Sequence, residues 1–393
     1  MKQLRKFIFW CHLVAGTVAG LIILTMSVTG VLLTYERQIT SWADSRRNAR
    51  VNPPSPDQAR LSPESLLAKM RESQTATPSG LTLKAGRDAP AEVAFGRERT
   101  LFLNPYTGEV LGEGSKGARD FFHAVTDWHR WLGRQGEGRL VGRAVTGACN
   151  LIFFFIVLSG FYLWWPRKWT RAALRNVTWF RRGTSGKARD FNWHNVIGFW
   201  SALPLLIIVF SGVVISYPWA SNLVYKAFGE TPPPQRGGPP RQLPSGGAPA
   251  QPSKVGDIKE LLAGTDPLWQ RAEQQMPGWQ SITMQVPESI EAPVTFSIDQ
   301  GNGGQPQKRA QLTLHRTNGE VVRWEPFSSY TAGRKARTLL RFAHTGEVAG
   351  IIGQSIAGLA SAGSAVLVWT GLALAWRRFR SWKASRAGLS APR

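Results

Sequence analysis

The sequence predicts an α-helical membrane protein with four transmembrane helices in two repeated halves and two α+β segments outside the bilayer. Three observations predict this fold. The chain has four long apolar runs, its basic residues are concentrated beside those runs, and a pattern of histidine and glycine occurs twice. Apolar length indicates membrane spans, charge placement indicates their orientation, and the repeated pattern indicates two related halves.

Four apolar runs are long enough to cross a membrane. They cover roughly residues 7–35, 140–165, 192–218 and 350–376. At a rise of about 1.5 Å per residue, each run can span a hydrocarbon core about 30 Å thick. The first run follows the basic stretch KQLRK, as in a signal peptide, but it is longer than a signal-peptide apolar region and no clear cleavage site follows. We therefore expect this run to be retained as a transmembrane helix.

The net charge of +23 lies mostly beside the apolar runs. Residues 1–6, 166–190 and 377–393 hold 17 of the 48 basic residues and 1 of the 25 acidic residues, a net charge of +16. The rest of the chain holds the other 31 basic and 24 acidic residues, a net charge of +7. This placement follows the positive-inside rule and argues against a nucleic-acid partner. It predicts an inner-membrane protein with both termini and the 166–190 loop in the cytoplasm.

These observations divide the chain into eight predicted regions. The transmembrane regions, of which the second and fourth begin with an interfacial segment, are residues 1–35, 119–166, 191–218 and 337–376. The basic cytoplasmic regions are the 167–190 loop and the 377–393 tail. The periplasmic regions are residues 36–118 and 219–336. Alternating apolar residues at 92–103 and 294–298 predict strands there, and the Pro/Gly-rich stretch 231–253 predicts a flexible insert.

The repeated pattern consists of histidines and glycines at matching spacings. The first and third runs each contain a histidine followed by two glycines at identical intervals: His12, Gly16 and Gly30, then His194, Gly198 and Gly212. The second and fourth runs each contain three glycines, again at identical intervals: Gly142, Gly147 and Gly160, then Gly353, Gly358 and Gly371. His129 and His344 precede these two sets. Small residues at such spacings are typical of close helix packing, which explains the glycines but not the histidines.

Four of the six histidines lie at the ends of predicted helices, one pair at each face of the membrane. His12 and His194 form the predicted inner pair, and His129 and His344 the predicted outer pair. Ionisable groups near a bilayer are costly and indicate function, although a single interfacial histidine can simply bind lipid headgroups. Two neutral imidazoles on facing helices can take both axial positions of a haem iron, which favours electron transfer over oxygen binding. We therefore predict one haem at each pair, two per chain, with the glycines admitting each flat macrocycle between helices.

Other residues near the outer pair are candidates for supporting roles. His123, which precedes His129 in the same motif, could replace it as a ligand or lie near the substrate. Arg130 and Arg341 could pair with haem propionates through charge-assisted hydrogen bonds, or remain solvated at the interface. His315 lies in a strand-like segment and is interpreted as a structural or surface residue.

Several motifs resemble those of a known family. They are WHRWLG at 128–133, SGFYLWWPRK at 159–168, WHNVIGFW at 193–200, HTGE at 344–347, NPYTGEVLG at 104–112 and a degraded copy of the last, HRTNGEV, at 315–321. On these motifs nearly the whole chain, except the 231–253 insert, resembles the PepSY-associated transmembrane family, and within it the iron-regulated ferric-siderophore reductases. The resemblance implies two PepSY-like periplasmic segments. It also implies di-haem b proteins that reduce ferric siderophores at the periplasmic face, with the four paired histidines as ligands.

The favoured hypothesis is transmembrane electron transfer to a ferric siderophore. The chain has no GxGxxG fingerprint after a strand, so a separate cytoplasmic or quinol electron donor is required. Trp128, Trp131 and Trp324 are candidates for an aromatic opening over the outer haem. One alternative is a non-redox, membrane-anchored PepSY protein that binds a peptide or a protease. Another is a transporter of the chelate, against which the scarcity of broken-helix signals apart from Pro204 argues.

Overall fold

The structure divides the chain into two compact units. It is a computed structural model that describes residues 2–47, 51, 55, 57–73, 76–96, 99–165, 170–234 and 258–386. The helical unit comprises Met1–Glu36, Phe121–Gly229 and Ala336–Arg393, and the sheet unit comprises Arg37–Asp120 and Glu230–Lys335. Residues 235–253 of the predicted insert and 387–393 of the predicted tail lie outside the described residues.

The described chain contains helices and strands in the following order. They are α1 (Lys2–Leu33), α2 (Glu36–Arg47), α3 (Pro63–Ser73), β1 (Gly80–Lys84), β2 (Ala91–Phe95), β3 (Arg99–Leu103), β4 (Val110–Glu113), α4 (Lys116–Trp131), α5 (Gly138–Trp164), α6 (Arg171–Thr178), α7 (Gly186–Ser216), α8 (Pro218–Ala227), α9 (Ile258–Leu262), α10 (Thr265–Gln275), β5 (Ser281–Gln285), β6 (Val294–Asp299), β7 (Arg309–Leu314), β8 (Val321–Pro326), α11 (Ala332–His344) and α12 (Gly350–Arg386). Short 3-10 helices occur at Pro306–Lys308, Phe327–Ser329 and Glu347–Ala349.

Four helices of the described chain are long and apolar enough to cross a membrane. The spans are Gln3–Leu33, Gly138–Trp164, Gly186–Ser216 and Glu347–Arg386, with 31, 27, 31 and 40 residues. At about 1.5 Å per residue, even the shortest span is roughly 40 Å long, which exceeds a hydrocarbon core of about 30 Å. The prediction of four membrane helices is therefore confirmed. Pro204 lies inside α7, which continues through it.

The four spans pack as a bundle. α1 packs against α5 and α12, and α7 packs against the same two helices. α1 and α7 therefore stand opposite each other across the bundle. Ala19 and Ile23 of α1 form a buried cluster with Cys149 of α5. Further along, the Ser27 and Ser364 hydroxyls are 2.8 Å apart in the buried core, so α1 and α12 are joined by a hydrogen bond as well as by packing.

The basic regions of the helical unit are more ordered than the predicted loop and tail. Within the predicted 167–190 loop, α6 forms and α7 begins at Gly186, while residues 377–386 of the predicted tail continue α12. The buried Asp190 carboxylate pairs with Arg189 at 3.0 Å and with Arg377 at 2.8 Å. This ion-pair cluster ties the start of α7 to α12 near its end.

The sheet unit contains one antiparallel sheet of eight strands. Its order is β4-β3-β2-β1-β5-β6-β7-β8. The central pair joins β1 to β5, with partners running from Gly80 and Gln285 to Lys84 and Ser281. The sequence predicted an α+β segment on each side of the second and third spans, and the structure joins both segments into a single sheet. Local sequence patterns could not reveal this, because the joining pair connects strands that are far apart along the chain.

The sheet buries one face under helices and leaves a polar face. Alternate residues of the central strands point to opposite faces, as the two-residue period of a strand requires. The largest buried core residues come from the strands, from α3 and from α9: Phe296, Leu81, Leu103, Ile282, Met284, Ile298, Leu66, Leu67, Met70 and Leu262. On the other face, the hydroxyls of Thr82 and Thr283 are 2.8 Å apart. The predicted strand region 92–103 forms the β2–β3 hairpin, and 294–298 lies in β6.

Two matching turns explain the related motifs at 104–112 and 315–321. In the first, the Gly108 N–H donates to the Asn104 carbonyl at 2.8 Å, and Gly108 has a φ of +78°. In the second, the Gly319 N–H donates to the His315 carbonyl at 3.0 Å, and Gly319 has a φ of +67°. A positive φ favours glycine because it has no Cβ. His315, predicted to be a structural or a surface residue, is exposed in this turn.

The division between the two units falls inside the predicted second periplasmic segment. The sequence placed residues 219–336 in the second periplasmic segment. The structure groups α8 with the helices, because Ala220 is buried against Val213 and Val214 of α7. The sheet unit resumes at Glu230.

Candidate functional site

The four singled-out histidines meet in two pairs. His12 of α1 and His194 of α7 have ring centroids 6.5 Å apart, with an interplanar angle of 87°. His129 of α4 and His344 of α11 have ring centroids 6.4 Å apart, with an angle of 63°. All four lie in the helical unit. They are named the inner pair (His12 and His194) and the outer pair (His129 and His344), after their predicted sides of the membrane.

The spacing within each pair fits one metal ion held between two rings. Metal–imidazole bonds are about 2 Å long, and each ring centre lies about 1.2 Å behind its bonding nitrogen, so two rings on opposite sides of one ion have centres about 6.4 Å apart. The observed separations are 6.5 Å and 6.4 Å. Rings in direct hydrogen-bonded contact would be closer. Each pair would therefore be able to supply both histidine ligands of a haem iron.

The two pairs lie at opposite ends of the bundle. Further along α1 than His12 lies Thr29, whose hydroxyl contacts His129 at 2.9 Å. At the same interval after His194 on α7 lies Ser211, whose hydroxyl contacts His344 at 3.2 Å. In a helix that interval spans about 26 Å. A redox centre at each pair would thus be separated from the other by most of the thickness of a bilayer.

Each histidine places its Nδ1 atom against a hydroxyl group. The inner pair uses Ser159 at 2.8 Å from His12 and Thr370 at 3.0 Å from His194. The outer pair uses Thr29 and Ser211, at the distances given above. Each of these hydroxyl residues directly precedes one of the glycines of the repeated pattern: Gly30, Gly160, Gly212 and Gly371. Sequence reasoning noted the glycines and missed the hydroxyls, although the recurring Ser-Gly or Thr-Gly dipeptide was the signal that could have revealed them.

Two of those glycines, Gly160 and Gly371, make room for an imidazole ring, and a third, Gly30, lies in ordinary contact with one. A Cβ at Gly160 would lie 3.2 Å from the Cε1 atom of His12, and one at Gly371 would lie 3.4 Å from Cε1 of His194. A Cβ at Gly30 would lie 3.7 Å from Cε1 of His129. The sequence attributed the glycines to helix packing and to space for the macrocycle. In the structure, Gly160 and Gly371 allow a histidine ring to lie directly against the neighbouring helix.

The outer histidines are held in their neutral form. Burial, followed by repulsion from His344, lowers the pKa of His129 to about 4. Burial is also the main cause that lowers the pKa of His344. At neutral pH both rings are uncharged, so each keeps a nitrogen lone pair available for a metal ion.

Arg130 and Arg341 both lie close to the outer pair. Partial burial, followed by repulsion from Arg341, lowers the pKa of Arg130, so the two guanidinium groups approach the same region. Arg130 also stacks over the Trp131 ring, 4.8 Å from its centroid. The lowered pKa of His344 includes repulsion from Arg341, and that of His129 includes repulsion from Arg130. Both arginines are thus in reach of an anionic group bound beside the outer rings.

The remaining candidates lie away from the rings. His123 is exposed on α4, while His129 contacts His344, so the structure brings His129 rather than His123 into the pair. Trp128 is 52 % exposed in the helical unit. Trp324 belongs to the sheet unit, where it packs against the core. Within the described residues, no group of three or more His, Cys, Asp or Glu side chains could hold a metal ion.

Comparison with known proteins assigns the chain to a family. The sequence model described as the PepSY-associated TM region matches residues 9–378, which include both histidine pairs and nearly all of the four spans. A comparison with curated proteins found no match.

Proposed function

This chain belongs to the PepSY-associated TM family, and from that premise we propose that it is a di-haem b electron-transfer protein that reduces ferric siderophores. It would act in the bacterial inner membrane and reduce its substrate at the periplasmic face. The observation that carries the proposal is the pair of histidines at each end of the bundle, with ring centroids 6.5 Å and 6.4 Å apart. A membrane anchor without redox function has no use for two such pairs.

The proposal assigns a role to each histidine pair. His12 and His194 would hold the inner haem, and His129 and His344 the outer haem. A haem iron with two histidine ligands supplies one-electron transfer and leaves no position open for oxygen. The protein contributes the spacing between the pairs, the exclusion of water by the apolar helices, and the orientation of each ring. Arg130 and Arg341 would bind the propionates of the outer haem.

The substrate chemistry favours reduction at the outer pair. A ferric chelate is large and polar, so entry into the apolar bundle would cost it its hydration. It would therefore accept an electron near His129 and His344, which lie on helices outside the spans. Addition of one electron converts Fe(III) to Fe(II). The hard oxygen ligands of a siderophore hold Fe(II) more weakly, and the iron is released.

A separate electron donor completes the proposal. The chain contains no GxGxxG fingerprint for a nicotinamide or flavin cofactor after a strand. The donor would be a cytoplasmic reductase or a membrane quinol, and it would meet the inner pair.

Haem content and reoxidation test the proposal directly. The full-length chain, purified in nanodiscs, is expected to show a reducible b-type Soret band with close to two haems per chain. The reduced protein is expected to be reoxidised by ferric siderophores. A His123→Ala, His315→Ala double variant is the matched control, because both histidines are exposed and outside the pairs; it is expected to retain both haems. A haem-free wild-type protein would contradict the proposal and favour a membrane-anchored binding protein.

Reporter fusions test the proposed orientation. A reporter placed after Arg182 or at the C-terminus is expected to report the cytoplasm, because both positions adjoin basic segments. A reporter inserted at Ser245, which lies outside the described residues, is expected to report the periplasm. The reverse pattern would place the outer pair on the cytoplasmic side of the membrane. It would contradict reduction of the chelate at the periplasmic face.

A further inference from the structure

The hydroxyl beside each paired histidine already uses its hydrogen in another hydrogen bond. Each of the four hydroxyls donates to a backbone carbonyl of its own helix: Thr29 to Thr25 at 2.6 Å, Ser159 to Ile156 at 3.2 Å, Ser211 to Ile208 at 2.8 Å and Thr370 to Val366 at 2.8 Å. A hydroxyl has one proton to donate and lone pairs with which to accept. Toward the imidazole it is therefore an acceptor, and the Nδ1 atom must carry the hydrogen.

A backbone carbonyl gives the same result independently. The Nδ1 atom of His344 lies 2.9 Å from the Ile208 carbonyl oxygen, which can only accept a hydrogen bond. The His344 ring thus meets a hydroxyl and a carbonyl from the same helical turn of α7.

We infer that Thr29, Ser159, Ser211 and Thr370 are positioning residues that fix the tautomer and direction of the four paired histidines. With hydrogen on Nδ1, each neutral ring keeps its lone pair on Nε2. A hydrogen bond from the other ring nitrogen is the usual way in which a protein orients a metal-bound histidine. The identity of the bound ion as haem iron rests on the proposed function, whereas the tautomer rests on the hydrogen bonds alone.

The glycine that follows the hydroxyl residue also helps to position the histidine ring. At Gly160 and Gly371, an added Cβ would lie 3.2 Å and 3.4 Å from the Cε1 atom of the ring whose Nδ1 is held by the preceding residue. A hydroxyl residue that holds the ring and a glycine that receives it therefore occupy consecutive positions. The acceptors are neutral rather than carboxylates, so each ring stays a neutral imidazole and gains no anionic character.

A threonine series on α1 tests the inference. In the full-length, haem-free chain with ¹⁵N-labelled histidine, NMR is expected to show His129 with hydrogen on Nδ1. Thr29→Val keeps the side-chain shape and removes the acceptor, so a fraction of His129 is expected to shift to the Nε2–H tautomer. Haem affinity at the outer pair is expected to fall about 10- to 100-fold. Thr29→Ser restores the hydroxyl and is expected to restore both readouts.

Thr25→Val is the matched control, because Thr25 lies one turn away on α1 and its hydroxyl donates to Leu21. It is expected to behave as wild type. A wild-type His129 with hydrogen on Nε2 would overturn the inference, as would a Thr29→Val protein identical to Thr25→Val in tautomer and haem affinity. Ser211→Ala, read at His344, repeats the test if Thr29→Val fails to fold. The NMR readout needs no haem, so a haem-free wild type would contradict the proposed function without deciding the tautomer.

Discussion

The inner and outer pairs have nearly the same spacing but are built in different ways. His12 and His194 lie within two membrane spans that face each other across the bundle. His129 and His344 lie on α4 and α11, helices of 16 and 13 residues that each precede a span. The inner spacing is therefore set by the packing of long helices. The outer spacing depends on two helix corners as well as on the contacts of His129 with Thr29 and of His344 with Ser211, so a change at a corner can disturb it.

Glycines form the two corners. A Cβ at Gly142 of α5 would overlap the Trp131 carbonyl at the end of α4. A Cβ at Gly353 of α12 would overlap the Gly346 carbonyl just after α11. Both glycines belong to the repeated pattern, and both allow the chain entering the span to fold back against it. Glycines of one repeated pattern therefore have different structural roles. Gly160 and Gly371 make room for the inner histidine rings, and Gly142 and Gly353 allow close backbone packing at the outer corners.

The largest expected effect separates the two pairs by function. His344→Ala removes one of the two proposed ligands of the outer haem, so reoxidation of the reduced protein by ferric siderophores is expected to be abolished. The inner haem is expected to remain reducible by dithionite. Stopped-flow spectra with a panel of ferric siderophores measure both properties. If the outer histidines only stabilise the fold, the variant would instead give a lower yield of folded protein. Reoxidation at the wild-type rate would show that electrons leave the protein at another site.

The next effect tests the pairing itself. His12→Ala and His194→Ala are each expected to lose the inner haem and to retain about one haem per chain, because a single axial bond rarely holds a b-type haem. The double variant is expected to match either single variant. Pyridine haemochrome assays and redox titrations measure the number and potential of the haems that remain. Loss of different haems in the two single variants would contradict the pairing.

Alanine at glycine positions is expected to affect one pair at a time. Gly142→Ala should loosen the outer corner, and Gly160→Ala should push the His12 ring, at a cost of roughly 1–3 kcal/mol for overpacking. We expect haem loss during detergent washing to be confined to the outer haem in the first variant and to the inner haem in the second. Gly16→Ala is the control, since nothing lies within 4 Å of its added Cβ. Equal loss of both haems in either variant would show that the corners and the bundle are coupled.

The smallest effect concerns the arginine beside the outer pair. Arg130→Gln removes a positive charge that would favour the extra electron, so the outer haem potential is expected to become more negative while the inner potential is unchanged. The outer haem is also expected to dissociate about ten times faster, as expected when one charge-assisted hydrogen bond is lost. Spectroelectrochemistry measures the potential. Arg134→Gln is the control, because Arg134 is an exposed arginine after α4. An equal shift of the outer haem potential in both variants would show that Arg130 has no specific role at the site.

The sequence predicted the residues of both pairs because their spacing repeats along the chain. The interval from His12 to Gly30 recurs from His194 to Gly212, and such agreement is visible without a structure. The sequence could not decide whether His123 or His129 belongs to the outer pair. Their separation along a helix corresponds to about 240° of rotation, so these two rings point in different directions, and only the packed helix shows which one meets His344.

The hydroxyl partners were hidden for a related reason. Serine and threonine are common in membrane spans, where they usually bond the carbonyl one turn back, as Thr25 does with Leu21. Only contact between helices distinguishes Thr29, which also faces His129.

The sequence by itself determined the number of membrane helices, the placement of basic charge and the four histidines that form the pairs, because apolar length, charge and spacing are written along the chain. The tertiary structure decided what those residues meet. Helix packing brought the histidines into pairs and gave each a hydroxyl partner, and the β1–β5 register joined two distant segments into one sheet. Contacts between elements depend on which faces pack together, and a pattern within one element carries little information about its neighbour.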